Sequence, residues 1–464
     1  MLKNFFSFNQ LRQIAFSWKA NIRLLFSNQS KFRKKSIAFW LAITTVTPAA
    51  ENSPTPSYVI AAYYANYSQY RPVAGQRAPF SLSSIDTDIL TDLYYAFAGF
   101  GYITKSLNPS FPHLTGDFTI QPMEGNDQGT IYPALLKLKQ SSKSTLRTFL
   151  SIGGWNFNNP NDPQGVGQHT YRLFSQMVSN ATNRKQFIDS AIDYAHRYGF
   201  DGIDIDWEYP GDLQRGGSMD DFNNFIDFLK ECSTAFSQAL PPLSLSYAAA
   251  AHTPTGLPHS FQEDPNSYFR WLAQCSRYLD RITIMAYDYH TPFDNPKITG
   301  ANAPLNRDTD PKSPYSIAKT LENYLNNGVP ADKIVLGIPI FGHSYAKVSG
   351  LSPQERGPGK PFESPGAPGP ATQTPGLLAY FEVIDIIRKG ELSFGIDKVT
   401  NTCYGYDDSS GKWVSFDTPY TVKLKAQMAL ESHLKGIVLW TIDMDEYQQE
   451  PKYPNLRTAS NVFR

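Results

Sequence analysis

Cysteine is scarce: Cys232, Cys275 and Cys403 are the only three in a chain of 464 residues. An odd, widely spaced set supports no disulfide framework, and without C-x-x-C or metal-ligand spacing it gives no zinc or thiol-redox motif. Cys232 falls within a helical pattern and reads as a core residue. No stretch downstream of position 50 supplies the roughly 20 apolar residues that a spanning helix needs. Acidic residues are missing from the first fifty positions: Glu51 is the first, whereas Lys3, Arg12, Lys19, Arg23, Lys31, Arg33, Lys34 and Lys35 precede it. The formal net charge of zero therefore hides an acidic remainder, with 34 of the 42 Lys and Arg set against all 42 Asp and Glu. That balance disfavours nucleic acid as a partner and suits a neutral ligand.

What the chain does have is 41% hydrophobic and 14% aromatic residues, ample for a large buried core. Length alone admits one large domain with insertions or two to three ordinary ones. The apolar run 37–46 follows the basic cluster Lys31, Arg33, Lys34 and Lys35 and precedes Ala49 and Ala50. Residues 1–50 thus read as a signal peptide with a long basic leader, the alternatives being an amphipathic transit segment or a start codon upstream of the true one. The expectation is a secreted or extracytoplasmic protein, soluble and monomeric, with no stable membrane insertion after cleavage.

From about Ser57 onward, short apolar strands alternate with helical patterns, as in β-α units around a parallel sheet. Phe187, Ile188, Ala191, Ile192 and Ala195 recur at helical spacing, with Asn183 as a candidate cap and Gly199 as the stop. Ser218 and Asp221 mark the next helix start, with Phe222, Phe225, Ile226, Leu229 and Cys232 on one face. Strands are expected at 58–64, 89–97, 146–152, 202–207, 243–247, 282–287, 334–341 and 436–440. Eight such units predict an α/β fold, a (β/α)8 TIM barrel with its active site at the C-terminal strand ends. Between the seventh and eighth strands, 352–376 is dense in Pro and Gly and 377–389 is helical in pattern. Residues 347–419 exceed what a β-α connection needs and read as a small inserted α+β domain, leaving 57–346 and 420–464 for the barrel.

The strongest chemical signal is DGIDIDWEYPG. Side chains alternate along a strand, so Asp204, Asp206 and Glu208 share one face and Ile203, Ile205 and Trp207 the other. Three acids crowded inside a barrel repel one another and lose solvent, which raises at least one pKa. Glu208, nearest the mouth, is the candidate general acid; Asp206 could share a proton with Asp204 or turn toward a substrate. Buried structural acids would lack basic partners nearby in sequence, and a divalent-cation site would lack a His or further acid at ligand spacing. Glycosidic acid catalysis is the favoured reading of the three.

At this point the sequence resembles a known family. Asp201, Asp204, Asp206 and Glu208 match the D-x-x-D-x-D-x-E signature of family 18 glycoside hydrolases of the chitinase type. YYANYSQYR, YYAFAG, SIGGW, MAYDYH, DKIVLGIPIFG and VLWTIDMD extend the resemblance over most of 58–445. It implies hydrolysis of chitin or chitooligosaccharides with no cofactor and no metal, the substrate's own 2-acetamido oxygen acting as nucleophile. By motif position, Glu208 would protonate the leaving oxygen and later activate water. Asp206 would hold the acetamido N–H and the oxazolinium intermediate, with Asp204 tuning its charge, and Tyr287 would bond the acetamido oxygen. Asp288 would orient the sugar at the cleavage point, Met285 would line the floor, and Trp440 would lie under that sugar, apolar sugar faces packing on aromatic rings. Trp155 resembles the platform beyond the cleavage point. Tyr63, Tyr67 and Phe97 resemble pocket or glycone-side residues, although Tyr63 and Phe97 also read as plain core. Ser151 and Gly153 read as allowing close packing beneath the acids. Tyr380 and Glu382, in LLAYFEV, match positions on the insertion that reach the sugar chain. His343 and Thr291 depart from the family pattern, which commonly has Arg and Gly there. The resemblance also admits an endo-β-N-acetylglucosaminidase acting on N-glycans and, where the acid is lost, a non-catalytic chitin-binding lectin.

Overall fold

A computed structural model describes residues 58–72, 79–104, 113–142, 145–307, 315–352 and 355–464; the leader expected over 1–50 lies outside them. Eight strands, β1 (Val59–Ala65), β2 (Asp92–Phe100), β3 (Arg147–Gly153), β4 (Gly202–Asp206), β5 (Ser244–Ala250), β6 (Arg281–Met285), β7 (Ile334–Pro339) and β8 (Gly436–Trp440), pair in parallel in chain order. β1 pairs with both β2 and β8, so the ring is closed. This is the (β/α)8 barrel that the alternating pattern predicts.

Alternation along β4 divides its side chains as expected. Ile203, Ile205 and Trp207 lie in the apolar layer between strands and helices, where Trp207 stacks on Phe174 at 5.2 Å. Gly202 lets β4 close on β3, since a Cβ there would fall 2.4 Å from the Phe149 ring. Behind the strands, the helix Ala181–Tyr198 is capped by Asn180, whose side chain accepts from the Asn183 N–H at 3.0 Å. The cap therefore stands three residues earlier than the expected Asn183, which is the partner that the cap bonds. Gly199, at φ 78°, ends that helix. The next, Asp221–Gln238, buries Phe222, Phe225, Phe228, Leu229, Cys232 and Phe236. Ile226 is only half-buried, because the two extra phenylalanines turn the buried face away from it.

The barrel interior is filled, not hollow. Tyr63, Tyr94 and Phe149 form its lower plug, with Tyr94 and Phe149 stacked at 4.7 Å and 15°, and the Arg281 guanidinium lies over Phe149 at 4.6 Å.

Several expected boundaries move. β2 starts at Asp92 because 87–89 is spent on a 3-10 turn capped by Asp86. β7 ends at Pro339, and Phe341–Ala346 instead enters a second, antiparallel sheet with Ser364–Pro365, Leu377–Ala379, Ser393–Asp397, Thr402–Asp407 and Lys412–Phe416. This sheet begins six residues before 347, and Leu377–Ala379 is a strand on Phe341–His343, leaving the helix to Tyr380–Arg388. The three cysteines are buried and unpaired. No helix among the described residues is long and apolar enough to cross a membrane.

Candidate active site

At the C-terminal end of β4 the three acids form a column. Asp204, Asp206 and Glu208 are 0%, 3% and 7% exposed. Asp204, deepest, accepts hydrogen bonds from Tyr63 Oη at 2.9 Å, Ser151 Oγ at 2.7 Å and Ser246 Oγ at 2.5 Å. Asp206 differs: its buried Oδ1 has no hydrogen-bond partner among the described residues. Burial, then the charges of Glu208 and Asp204, push its carboxyl well above the usual range. Burial also lifts Glu208 to about 7, against an opposing pull from the Arg215 guanidinium and a hydrogen bond to Tyr209. The outermost acid therefore carries a proton near neutrality, as a general acid must.

Aromatic rings wall this column. Trp440, the last residue of β8, lies 5.0 Å from Tyr63 and 5.7 Å from Phe97 between ring centroids. Tyr63 is buried beneath the acids and bonds Asp204, so it serves the floor, not a glycone-side surface. Half-buried Tyr287 stands close enough to Asp206, Asp288 and Glu208 for their charges, after burial, to hold its hydroxyl protonated. Met285, at the end of β6, is half-buried. Trp155 is 52% exposed beyond β3, and Tyr67 is 44% exposed after β1 with Arg71 near its ring. Gly153 serves close packing: a Cβ there would meet the Asp206 carbonyl at 2.3 Å.

The expectation for Glu382 needs correction. Glu382 is 3% exposed, and its carboxylate accepts the backbone N–H groups of Ala371, Thr372 and Ala379. It caps its own helix and the preceding loop, leaving no free oxygen to meet a sugar. Tyr380 is buried at the start of the same helix.

Residues 59–445 match the model of glycosyl hydrolases family 18. The chain belongs to that family. This family 18 chain is 30% identical over 406 residues to chitotriosidase-1 of Mus musculus, spanning 85% of this chain and 76% of that protein. It is similar in structure to the Ostrinia furnacalis Group II chitinase catalytic domain 2, with a TM-score of 0.72 and 27% identity over 88% of this chain and 96% of that one. It shares a fold with human YKL-39, a pseudo-chitinase with retained chitooligosaccharide binding properties, at TM-score 0.69, 24% identity and coverage of 88% and 99%.

Several residues of this family 18 site escape a reading of the sequence. Arg215 donates from Nε to the Glu208 carbonyl at 2.6 Å and from Nη2 to the Trp155 carbonyl at 2.5 Å. Arg281 and Ser246 come from β6 and β5, far along the chain from the acids. A strand-alternation argument confined to β4 could not find them. Of the two departures, His343 contacts Asp288 Oδ1 through Nε2 at 2.7 Å. Asn302 accepts the Asp288 N–H at 2.9 Å and so helps to hold Asp288 at φ 59°. Thr291 is turned away and donates to Asp294 at 2.6 Å.

Proposed function

We propose that this protein is a secreted or extracytoplasmic chitinase that hydrolyses β-1,4 links between N-acetylglucosamine units by substrate-assisted, retaining catalysis. The observation that carries the reading is a buried Glu208 lifted to about 7 at the barrel mouth, above an Asp206 whose buried Oδ1 has no hydrogen-bond partner among the described residues. Glu208 donates its proton to the glycosidic oxygen as the sugar's acetamido oxygen attacks the anomeric carbon, so no second protein nucleophile is needed. Asp206 Oδ1 accepts the acetamido N–H and stabilises the cation that forms. The Tyr287 hydroxyl donates to the acetamido oxygen, Trp440 underlies the reacting sugar, and Asp288 orients it. Glu208, now ionised, takes a proton from the water that opens the intermediate with net retention.

A binding-only reading draws on the likeness to YKL-39. The intact Glu208 favours catalysis. The test is a product profile on chitin hexasaccharide and on an N-glycan, with the anomers resolved. Retained β-anomers from the hexasaccharide support the proposal. Cleavage of the N-glycan alone would assign an endo-β-N-acetylglucosaminidase, and binding without cleavage of either would assign a lectin.

A further inference from the structure

The turn that carries Tyr67 is tied down on several sides. It runs Asn66–Tyr70 directly after β1, with Asn66 and Ser68 buried and Tyr67 and Tyr70 exposed. Asn66 Nδ2 donates to the Phe97 carbonyl of β2 at 3.2 Å. At its far end, Gln69 Oε1 accepts from Asn126 Nδ2 at 2.5 Å and Tyr70 Oη donates to Glu124 Oε2 at 3.1 Å. The Arg71 N–H closes the turn on the Ser68 carbonyl at 3.2 Å, and the Arg71 guanidinium then leaves it for another element.

That element is the turn Ile442–Met444, which follows Trp440 and β8. Arg71 Nη2 lies 2.9 Å from Asp443 Oδ2. The Asp443 side chain is fully buried, and neither of its oxygens has a hydrogen bond among the described residues. A carboxylate sealed from water is costly without a counter-charge, and removing Arg71 would strand it. Ile442 and Met444 are buried on either side of Asp443. They hold the acid in place, so the pair draws Arg71 inward.

The Arg71 guanidinium also lies 5.8 Å from the Tyr67 ring centroid, within cation–π range. Tyr67 is therefore connected to Trp440 by two routes. One passes through Arg71 and Asp443; the other passes through Asn66 and Phe97, whose ring is 5.7 Å from Trp440. Because β1 lies between β2 and β8 in the ring, both routes run across the same end of the barrel. An exposed ring and a half-buried one are thus held at a set separation.

We propose that Arg71 and Asp443 are a positioning pair that fixes the Tyr67 ring relative to Trp440, so that a chitooligosaccharide long enough to reach both stacks on both at once. This rests on the glycosidase reading given above, in which Trp440 underlies the reacting sugar. Sugars pack through flat apolar faces, so a second ring contributes only where its offset from the first suits the chain. With the turn already ordered, the bound chain has none of that ordering left to do. The pair acts on binding of long substrates and leaves the acids alone.

Asp443→Asn is the decisive variant. Arg71→Met would strand a buried carboxylate and endanger the fold, whereas the amide keeps the shape of Asp443 and releases Arg71 toward water. Both kcat and KM are measured on a chromogenic disaccharide glycoside and on chitin hexasaccharide, in wild type, Asp443→Asn, Tyr67→Ala and the double variant. Hexasaccharide KM is expected to rise about tenfold in each single variant, with kcat and disaccharide KM within about twofold of wild type. In the double variant it should rise by less than about twofold beyond Tyr67→Ala alone, because the pair acts through that ring. An unchanged hexasaccharide KM in Asp443→Asn, an equal rise for both substrates, or losses that multiply in the double variant overturn the proposal. If the wild type binds without cleaving, the glycosidase reading fails, and calorimetric affinities of the same four proteins for the same two ligands decide whether the pair positions Tyr67.

Discussion

The guanidinium of Arg215 lies 3.7 Å from the ring centroid of Trp155 and also bonds the Glu208 carbonyl. One side chain thus backs the exposed Trp155 ring and lies beside the acid. Its charge pulls Glu208 down from where burial alone would leave it. Arg215→Met should raise Glu208 above about 7, and because a general acid works while protonated, the basic limb of kcat/KM should move to higher pH. KM for long oligomers should also rise, since the ring loses its cation–π support. Arg215→Lys restores charge but not the planar fork, so the limb should return while KM stays raised. Superimposable pH profiles for wild type and Arg215→Met would contradict this.

Glu208 also sets a stability cost. Its carboxyl is raised from 4.5 to about 7 in the fold. A raised pKa favours the folded state fully below the unfolded value, and that contribution is lost as pH rises through the folded value. Wild-type thermal stability should therefore fall between about pH 4.5 and 7. Glu208→Gln, uncharged at every pH, should be more stable than wild type at pH 8 by about 3 kcal/mol. Hydrolysis by the same variant should fall by roughly 10²- to 10⁴-fold with oligosaccharide binding retained. Calorimetry at pH 5 and pH 8 checks the first expectation and turnover with isothermal titration the second; equal stability at pH 8 would place the acid in a wetter site than described here.

The barrel and its acidic column were legible in the sequence because both follow from period. Alternation along β4 carries Asp204 and Asp206 inward and Ile203 and Ile205 outward whatever the rest of the chain does. Helical spacing likewise announced Phe222 and Phe225. What stayed hidden depends on which strands become neighbours and how side chains pack between them. Arg281 reaches the column only because β6 joins the same ring as β2, and Arg215 folds back over Trp155 from a loop without periodicity. Glu382 misled for a related reason: a glutamate three residues into a helix caps that helix unless something competes, and the resemblance pointed past that local role. The β7 boundary failed because an apolar run continues through Phe341 while the backbone changes sheets.

Trp207 tests the outward face of β4. Its ring is stacked between strand and helix layers against Phe174 and 5.5 Å from Phe225. Trp207→Ala should cost about 3–5 kcal/mol, as for other large-to-small core changes. Trp207→Phe should recover most of that loss. Chemical denaturation with an unchanged m-value checks both; a loss under about 1 kcal/mol for the alanine variant would show the site collapsing to fill the space.

Glu382 separates a structural from a sugar-binding role. Its carboxylate accepts three backbone N–H groups, from Ala371, Thr372 and Ala379, at distances from 2.7 to 3.1 Å. Charge-assisted bonds to buried amides are among the stronger ones, and removing the acceptor leaves those donors without a partner. Glu382→Ala should therefore lose about 2–3 kcal/mol of stability, and Glu382→Gln less, because its amide oxygen still accepts. Chitooligosaccharide affinity of the folded variants, measured well below their melting transitions, should stay within about twofold of wild type, since lost hydrogen bonds to sugar would cost more than that. A Glu382→Gln variant of wild-type stability that binds tenfold more weakly would return this carboxylate to the cleft and displace its role as a cap.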